Sequence, residues 1–305
     1  MTSTILPGGV RVIDDLHLGE PHIIATYLLP GDEPAIVDPG PASDLPHLEA
    51  GLAAHGLAAG DLHAILLTHI HLDHAGATGT LVARYPHLRV YVHQRGAPHL
   101  AAPERLIRSA TRLYGDAMQQ LWGEILPVPA ENITTLDGGE TLALGRRRLR
   151  VFDAPGHALH HVVYFDDASG LLFAGDNAGV RMPGHAYVHP PTVPPEFDLE
   201  AWGRTLDLIG SLDPAWLLLT HFGPYADVAA HLAALRERLA RWTEAVRAGL
   251  ARGDDTAALN RQMRELAVAE IGPDPLAQAS YERAASVELS VAGLVRYLQT
   301  RQGAG

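Results

Sequence analysis

Short apolar runs separated by turn residues dominate the first two-thirds of the chain. HIIATYLL (22–29) and PAIVD (34–38) read as strands. HAILLTH (63–69) is continuously apolar before its polar end, as a strand covered on both faces should be. RVYVH (89–93), ENITTL (131–136), ETLAL (140–144), RLRVFDA (148–154), HVVYFD (161–166), LLFAGD (171–176) and WLLLTH (216–221) predict further strands. Helical patterns fall between some of these. One runs through 44–57, with Asp44 at the N-cap and Pro46 in the first turn. Another covers 76–85 and stops at Pro86, and a longer helical stretch occupies 97–125.

After residue 225 the strand pattern ends. His231, Leu232, Leu235, Leu239, Trp242, Val246 and Leu250 recur at intervals of three and four, so 226–250 is an amphipathic helix. A second helix spans 256–271, capped by Asp254 or Asp255 and broken by Gly272-Pro273. A third covers 274–300. Strands with crossover helices followed by helices alone predict an α+β core with a helical C-terminal module, divided as 1–225 and 226–305. The proline-rich stretch 181–198 reads as a long loop.

The chain has 305 residues, 47% of them apolar, and a net charge of −12. That charge argues against nucleic acid and anionic membrane as partners. The basic run RRRLR (146–150) reads as the exposed face of a short strand rather than a phosphate-binding tract. Cysteine is absent, which excludes disulfides, thiolate catalysis and sulfur ligands. No stretch has the length and hydropathy of a membrane span, and the first residues lack the pattern of a secretory signal. The expectation is a cytoplasmic protein.

One stretch departs from ordinary patterning. LTHIHLDHAG (67–76) places His69, His71, Asp73 and His74 where a strand gives way to a helix. So dense a set of lone-pair and anionic groups repels itself without a cation. His69 and His71, two apart in extended chain, can face one ion. Asp73 and His74, a turn later, can face a neighbouring one. His157, Asp176 and His221 also end apolar runs and supply further candidates. Imidazole and carboxylate suit zinc, iron or manganese. A carboxylate can bridge two such ions about 4 Å apart, and a bound ion lowers the pKa of water to about 7.

HIHLDH resembles the H-x-H-x-D-H signature of the metallo-β-lactamase-fold superfamily of metallohydrolases. VDPG (37–40), APGH (154–157), FAGD (173–176) and LTHF (219–222) resemble its other motifs, in order, over residues 8–225. The resemblance implies an αββα sandwich of two mixed sheets flanked by helices, with two divalent metal ions at one edge. It assigns His69, His71 and His157 to one ion and Asp73, His74 and His221 to the other. Asp176 would bridge, and Asp38 would steady the ligand loop. Among branches of the superfamily, the helical tail is distantly glyoxalase II-like. The Cys-Gly-Lys/Arg-type glutathione segment of that branch is replaced by NAGVRMPGH (177–185), which argues against a glutathione thioester. The tyrosine that acyl-homoserine lactonases often carry after the bridging aspartate is replaced by Asn177-Ala178.

The implied reaction is hydrolysis of an ester, lactone or thioester of a small molecule by a metal-bridging hydroxide, with Asp73 as the catalytic residue that orients it or relays its proton. Phosphodiester hydrolysis, oxygen chemistry at a single iron, and metal-containing ligand binding without turnover are the alternatives. Several residues remain open. His161 is expected to be structural near the site, and His93 to sit at its rim. Tyr225 reaches substrate or staples the following helix. His185, Tyr187 and His189 line the pocket or stay in an exposed loop. Tyr114, Met118, Leu121 and Trp122 roof the site, pack as core or bury a subunit contact. The terminal helices form a lid or a homodimer interface.

Overall fold

The computed structural model describes residues 5–302. Two six-stranded mixed sheets form its centre. The first contains β1 (Arg11–Asp14), β2 (Ala25–Leu29), β3 (Ala35–Val37), β4 (Ala64–Leu66), β5 (Arg89–His93) and β6 (Ile133–Leu136), in sequence order. The β1–β2 and β2–β3 pairs are antiparallel, and the next three pairs are parallel. The second contains β7 (Thr141–Leu144), β8 (Arg147–Asp153), β9 (Val162–Asp166), β10 (Leu171–Phe173), β11 (Trp216–Leu219) and β12 (Gly223–Tyr225), again in sequence order. Here only β10 and β11 run parallel.

The side-chain period of two sorts each strand's residues between layers. Val37, Leu66, Leu171, Phe173 and Leu218 enter the core between the sheets. Ile36, Ile65 and Leu67 enter the core outside the first sheet, under α1 (Leu45–Ala54) and α3 (Thr78–Arg84). Leu172, Leu217 and Leu219 face outward from the second sheet. There they join residues of α7 (Leu199–Ser211), α8 (Val228–Arg252), α9 (Thr256–Ile271), α10 (Pro275–Ala284) and α11 (Val287–Gln302). The strands read as continuous apolar runs because both faces are covered. The layers are helix, sheet, sheet, helix, the sandwich that the sequence implied.

Several boundaries differ from the sequence expectation. The strand expected over 22–29 starts at Ala25, because His22 has a left-handed φ of 66° and the Ile23 carbonyl turns to His221. Asp44 occupies the N-cap position but makes no side-chain cap; its carboxylate takes His17 Nδ1 at 2.7 Å. The 97–125 stretch divides into α4 (Ala97–Ala101), α5 (Glu104–Tyr114) and α6 (Met118–Trp122) at Pro103 and Gly115. The 274–300 helix breaks at Ala285, which is extended, and α11 begins beyond Ser286. Strands β1 and β12 and helix α7 were not anticipated; α7 is capped by Asp198, which accepts from Ala201 N–H. Three of the arginines of the 146–150 run pair with Asp32, Asp166 and Asp167. Among the described residues, no helix is long and apolar enough to cross a membrane.

Candidate metal centre

Five chain segments converge at one edge of the sandwich, each just beyond a strand. Asp38 follows β3, His69 follows β4, His157 follows β8, Asp176 follows β10 and His221 follows β11. Between His69 and Asp73 the chain enters α2 (Leu72–Ala75), a single turn that carries Asp73 and His74. Ligand-type atoms of His69, His71, His157 and Asp176 lie within 4.8 Å of one another, and so do those of Asp73, His74 and His221. All seven sequence candidates therefore meet.

The facing atoms are unusual for a protein interior. His71 Nδ1 lies 2.9 Å from His69 Nε2 and 3.0 Å from His157 Nε2. Asp176 divides its oxygens, with Oδ2 at 3.2 Å from His157 Nε2 and Oδ1 at 3.2 Å from His74 Nε2. Oδ1 is also 3.6 Å from His221 Nε2, which lies 3.2 Å from Asp73 Oδ2. Yet His74 Nε2, His221 Nε2 and Asp176 Oδ1 are buried without an aligned hydrogen bond. Buried polar atoms left unpaired in this way are costly, and a cation at their common focus would satisfy them.

The far sides of three rings are fixed. His157 Nδ1 donates to the Pro191 carbonyl and His221 Nδ1 to that of Ile23, both at 2.8 Å. Asp38 is fully buried with φ of 50°. Its Oδ1 accepts Thr68 N–H at 2.8 Å; its Oδ2 accepts Thr68 Oγ1 at 2.7 Å, His74 Nδ1 at 2.8 Å and Thr220 Oγ1 at 2.9 Å. A carboxylate only accepts, so His74 carries a proton on Nδ1 and turns Nε2 toward Asp73 and Asp176. Partners behind a ring in this manner set its tautomer and orientation.

Electrostatics divide the cluster in two. Burial, reinforced by neighbouring histidines, pushes His69 well below the ordinary imidazole value and His71 down to about 4. Burial also lowers His157, against the pull of Asp176. These three are neutral imidazoles, the form that ligates. For His74 and His221 burial opposes protonation, but Asp176 and Asp73 outweigh it and raise both; Asp38 adds to the effect on His74. Burial disfavours the carboxylates of Asp73 and Asp176, yet the surrounding histidines hold both below the usual range. The upward pull on His74 and His221 marks the demand of the two carboxylates for positive charge at this point.

The remaining candidates separate. His161 stacks on His69 at 4.8 Å, and its Nε2 faces Asp176 N–H at 3.3 Å. His93 turns to Asp153, 3.3 Å away. Tyr225 donates to the Arg181 carbonyl at 2.6 Å beneath the Arg181 guanidinium, so it braces a loop. His185 lies 3.4 Å from Asp274, against the terminal helices. Tyr187 and His189 are buried, and they pack on Tyr281 and Trp242. Tyr114, Met118, Leu121 and Trp122 form a small apolar cluster with Leu72, the residue before Asp73. Asn177 knits the site together, because its side chain donates to the Ala154 carbonyl at 2.6 Å.

Three contributors were missed. Thr68 and Thr220 each precede a candidate histidine, and the repeated Leu-Thr-His at 67–69 and 219–221 was the available signal. His160, in the same run as His157 and His161, is buried with its ring 5.7 Å from that of His71.

Residues 19–221 match the family model described as the metallo-beta-lactamase superfamily. The metallo-beta-lactamase fold-containing protein ST1585 of Sulfurisphaera tokodaii is 32% identical over 163 residues, 52% of this chain and 60% of that protein. A hydroxyacylglutathione hydrolase of Aeromonas hydrophila is 34% identical over 141 residues, 46% of this chain and 41% of that enzyme. The chain thus spans less than two-thirds of either relative. Among solved structures, the metallo-beta-lactamase family protein TTHA1429 from Thermus thermophilus superposes with a TM-score of 0.73 at 26% identity, covering 98% of this chain and 95% of that one. By sequence match and by fold, this chain belongs to the metallo-beta-lactamase superfamily.

Proposed function

We propose that the protein is a metal-dependent hydrolase of a small ester, lactone or thioester, with two divalent ions at this edge. His69, His71 and His157 would hold one ion, Asp73, His74 and His221 the other, and Asp176 would reach both. Zinc is the first choice for an all-nitrogen-and-oxygen set of this kind, with iron or manganese as alternatives. The observation that carries the reading is Asp176, whose two oxygens lie one against each group of donors.

Bound there, the ions would supply Lewis acidity: an activated water at neutral pH and a polarised carbonyl. The chain's own part is positional. Pro191 and Ile23 carbonyls and the Asp38 carboxylate fix three imidazoles from behind. Asp73, 23% exposed at its side chain, is with His71 one of the two donors that reach toward solvent. A carboxylate held below its usual range is a weak base, so Asp73 would orient the attacking water rather than store its proton.

The test is metal analysis of protein purified without added metal, followed by a panel of lactones, aryl esters, thioesters and phosphodiesters. About two ions per chain in the native protein, with about one ion and the activity lost in His69→Ala, is the expected result. Absence of metal in the native protein, with no change in that variant, would overturn the reading. Turnover of phosphodiesters alone would overturn the substrate class.

A further inference from the structure

Helix α11 lies far beyond the last signature motif in sequence, yet it is locked to the candidate centre through a short run of backbone. The run is His189–Thr192. Pro191 supplies the carbonyl that accepts His157 Nδ1–H at 2.8 Å. On its other side the same run is held by α11 at two polar contacts. Thr192 Oγ1 donates to the Ser290 carbonyl at 2.8 Å, and Ser290 Oγ lies 3.1 Å from His189 Nε2. Thr192, Ser290 and His189 are all buried.

The approach is close enough to dictate a residue type. Gly293, one turn beyond Ser290, has no side chain, and a Cβ there would fall 1.8 Å from the Thr192 carbonyl oxygen. Such a clash is with backbone and cannot be relieved by a rotamer change. A helix packed this tightly fixes the height of the 189–192 run above the sheet, and with it the Pro191 carbonyl.

We infer that α11 positions the first half of the metal centre, with Ser290, Gly293 and Thr192 as positioning residues that act on His157 through Pro191. The inference rests on the proposed metal reading and adds to it an asymmetry. On the other half, His74 is backed by Asp38 and His221 by the Ile23 carbonyl, both supplied by the first sheet's side of the sandwich. Loosening the 189–192 run should therefore weaken one ion and spare the other.

The experiment titrates metal-stripped protein with zinc by calorimetry and with cobalt by visible absorption, which needs no substrate. Thr192→Val removes the hydroxyl that binds the Ser290 carbonyl, and Thr192→Ser retains it. Ser290→Ala serves as a second, milder variant, and thermal unfolding is recorded for each. The expected result for Thr192→Val is a loss of about tenfold in affinity at one of two sites, with a changed cobalt spectrum for that site, restored in Thr192→Ser. Equal weakening of both sites in step with a lowered Tm, or wild-type affinity at both sites, would show a merely structural contact and overturn the inference. If wild-type protein takes up no metal at all, it is the underlying metal reading that fails, and the inference falls with it.

Discussion

Asp38 and His74, both fully buried, are joined by a 2.8 Å hydrogen bond that leaves the imidazole Nε2 directed at Asp73 and Asp176. The Asp38 carboxylate is enclosed by four donors, from Thr68 N–H, Thr68 Oγ1, Thr220 Oγ1 and His74 Nδ1. It ties the ends of β3, β4 and β11 to one point. Asparagine cannot replace it, because one end of the amide is itself a donor and would oppose a donor already present. Asp38→Asn and Asp38→Ala are therefore both expected to destabilise the fold by about 3 kcal/mol. Metal affinity on the His74 side should fall about tenfold or more. Thermal unfolding and metal content after gel filtration measure the two effects; a normal metal content in Asp38→Ala would contradict this role.

The division of donors into two groups predicts stoichiometry. His71→Ala should lower bound metal by about one ion per chain, and His221→Ala should do the same, each leaving the other site occupied. Asp176→Ala should weaken both, since its two oxygens lie against different groups. His93→Gln provides the contrast: His93 is directed at Asp153, so that variant should keep its full complement of metal. Elemental analysis of these variants beside wild type decides the point.

The sequence made the donors legible because each ends an apolar run, and a strand end is a place that position along the chain can identify. His69 through His74 were readable as a unit for the same reason. What holds them was less readable. Pro191 and Ile23 act through carbonyls, which carry no residue signature. Thr68 and Thr220 act through hydroxyls that any β-rich strand could carry. Tyr187 and His189 were candidates for the pocket because their loop is rich in proline and aromatics. The structure buries both, because α8 and α10 present Trp242 and Tyr281 to them. Such burial depends on which helices return to the loop, and periodicity is silent on that. Helix α7 was missed because it follows the same loop directly and its cap, Asp198, reads as the loop's end.

Asp15 gives a pH prediction away from the metal donors. It is fully buried, its Oδ2 accepts Thr26 Oγ1 at 2.8 Å, and its Oδ1 has no partner. Burial, with smaller contributions from Asp44 and Asp14, raises it well above the ordinary value of 3.8, against the Thr26 hydrogen bond. The folded form thus retains a proton that the unfolded chain has released. This contribution to stability is full below the unfolded value and is lost as pH rises through the raised folded value. Asp15→Asn mimics the protonated side chain. It should match wild type near the unfolded value and become more stable than wild type as pH rises, giving a flatter profile of Tm against pH. A variant whose disadvantage grows with pH would show that the carboxylate is the stabilising form.

The helices after residue 225 share one apolar cluster with the second sheet, and this decides what truncation does. Trp242, Val246, Met263, Val291 and Leu294 are buried with Val163, Leu172, Leu217 and Leu219 of the sheet and with Trp202 of α7. Removing 226–305 would bare much of that face of β9, β10 and β11, leaving α7 and the loop before it as cover. Although the helices begin where the signature motifs end, we predict that 1–225 expressed alone aggregates. Burial of Trp242 is complete, so Trp242→Ala in the full chain should cost about 3–5 kcal/mol through loss of contacts and the cavity left behind. Chemical denaturation should show a single transition shifted to lower denaturant. An early transition confined to the helices, with the sheets unfolding later at the wild-type midpoint, would instead establish 226–305 as a separately folding unit.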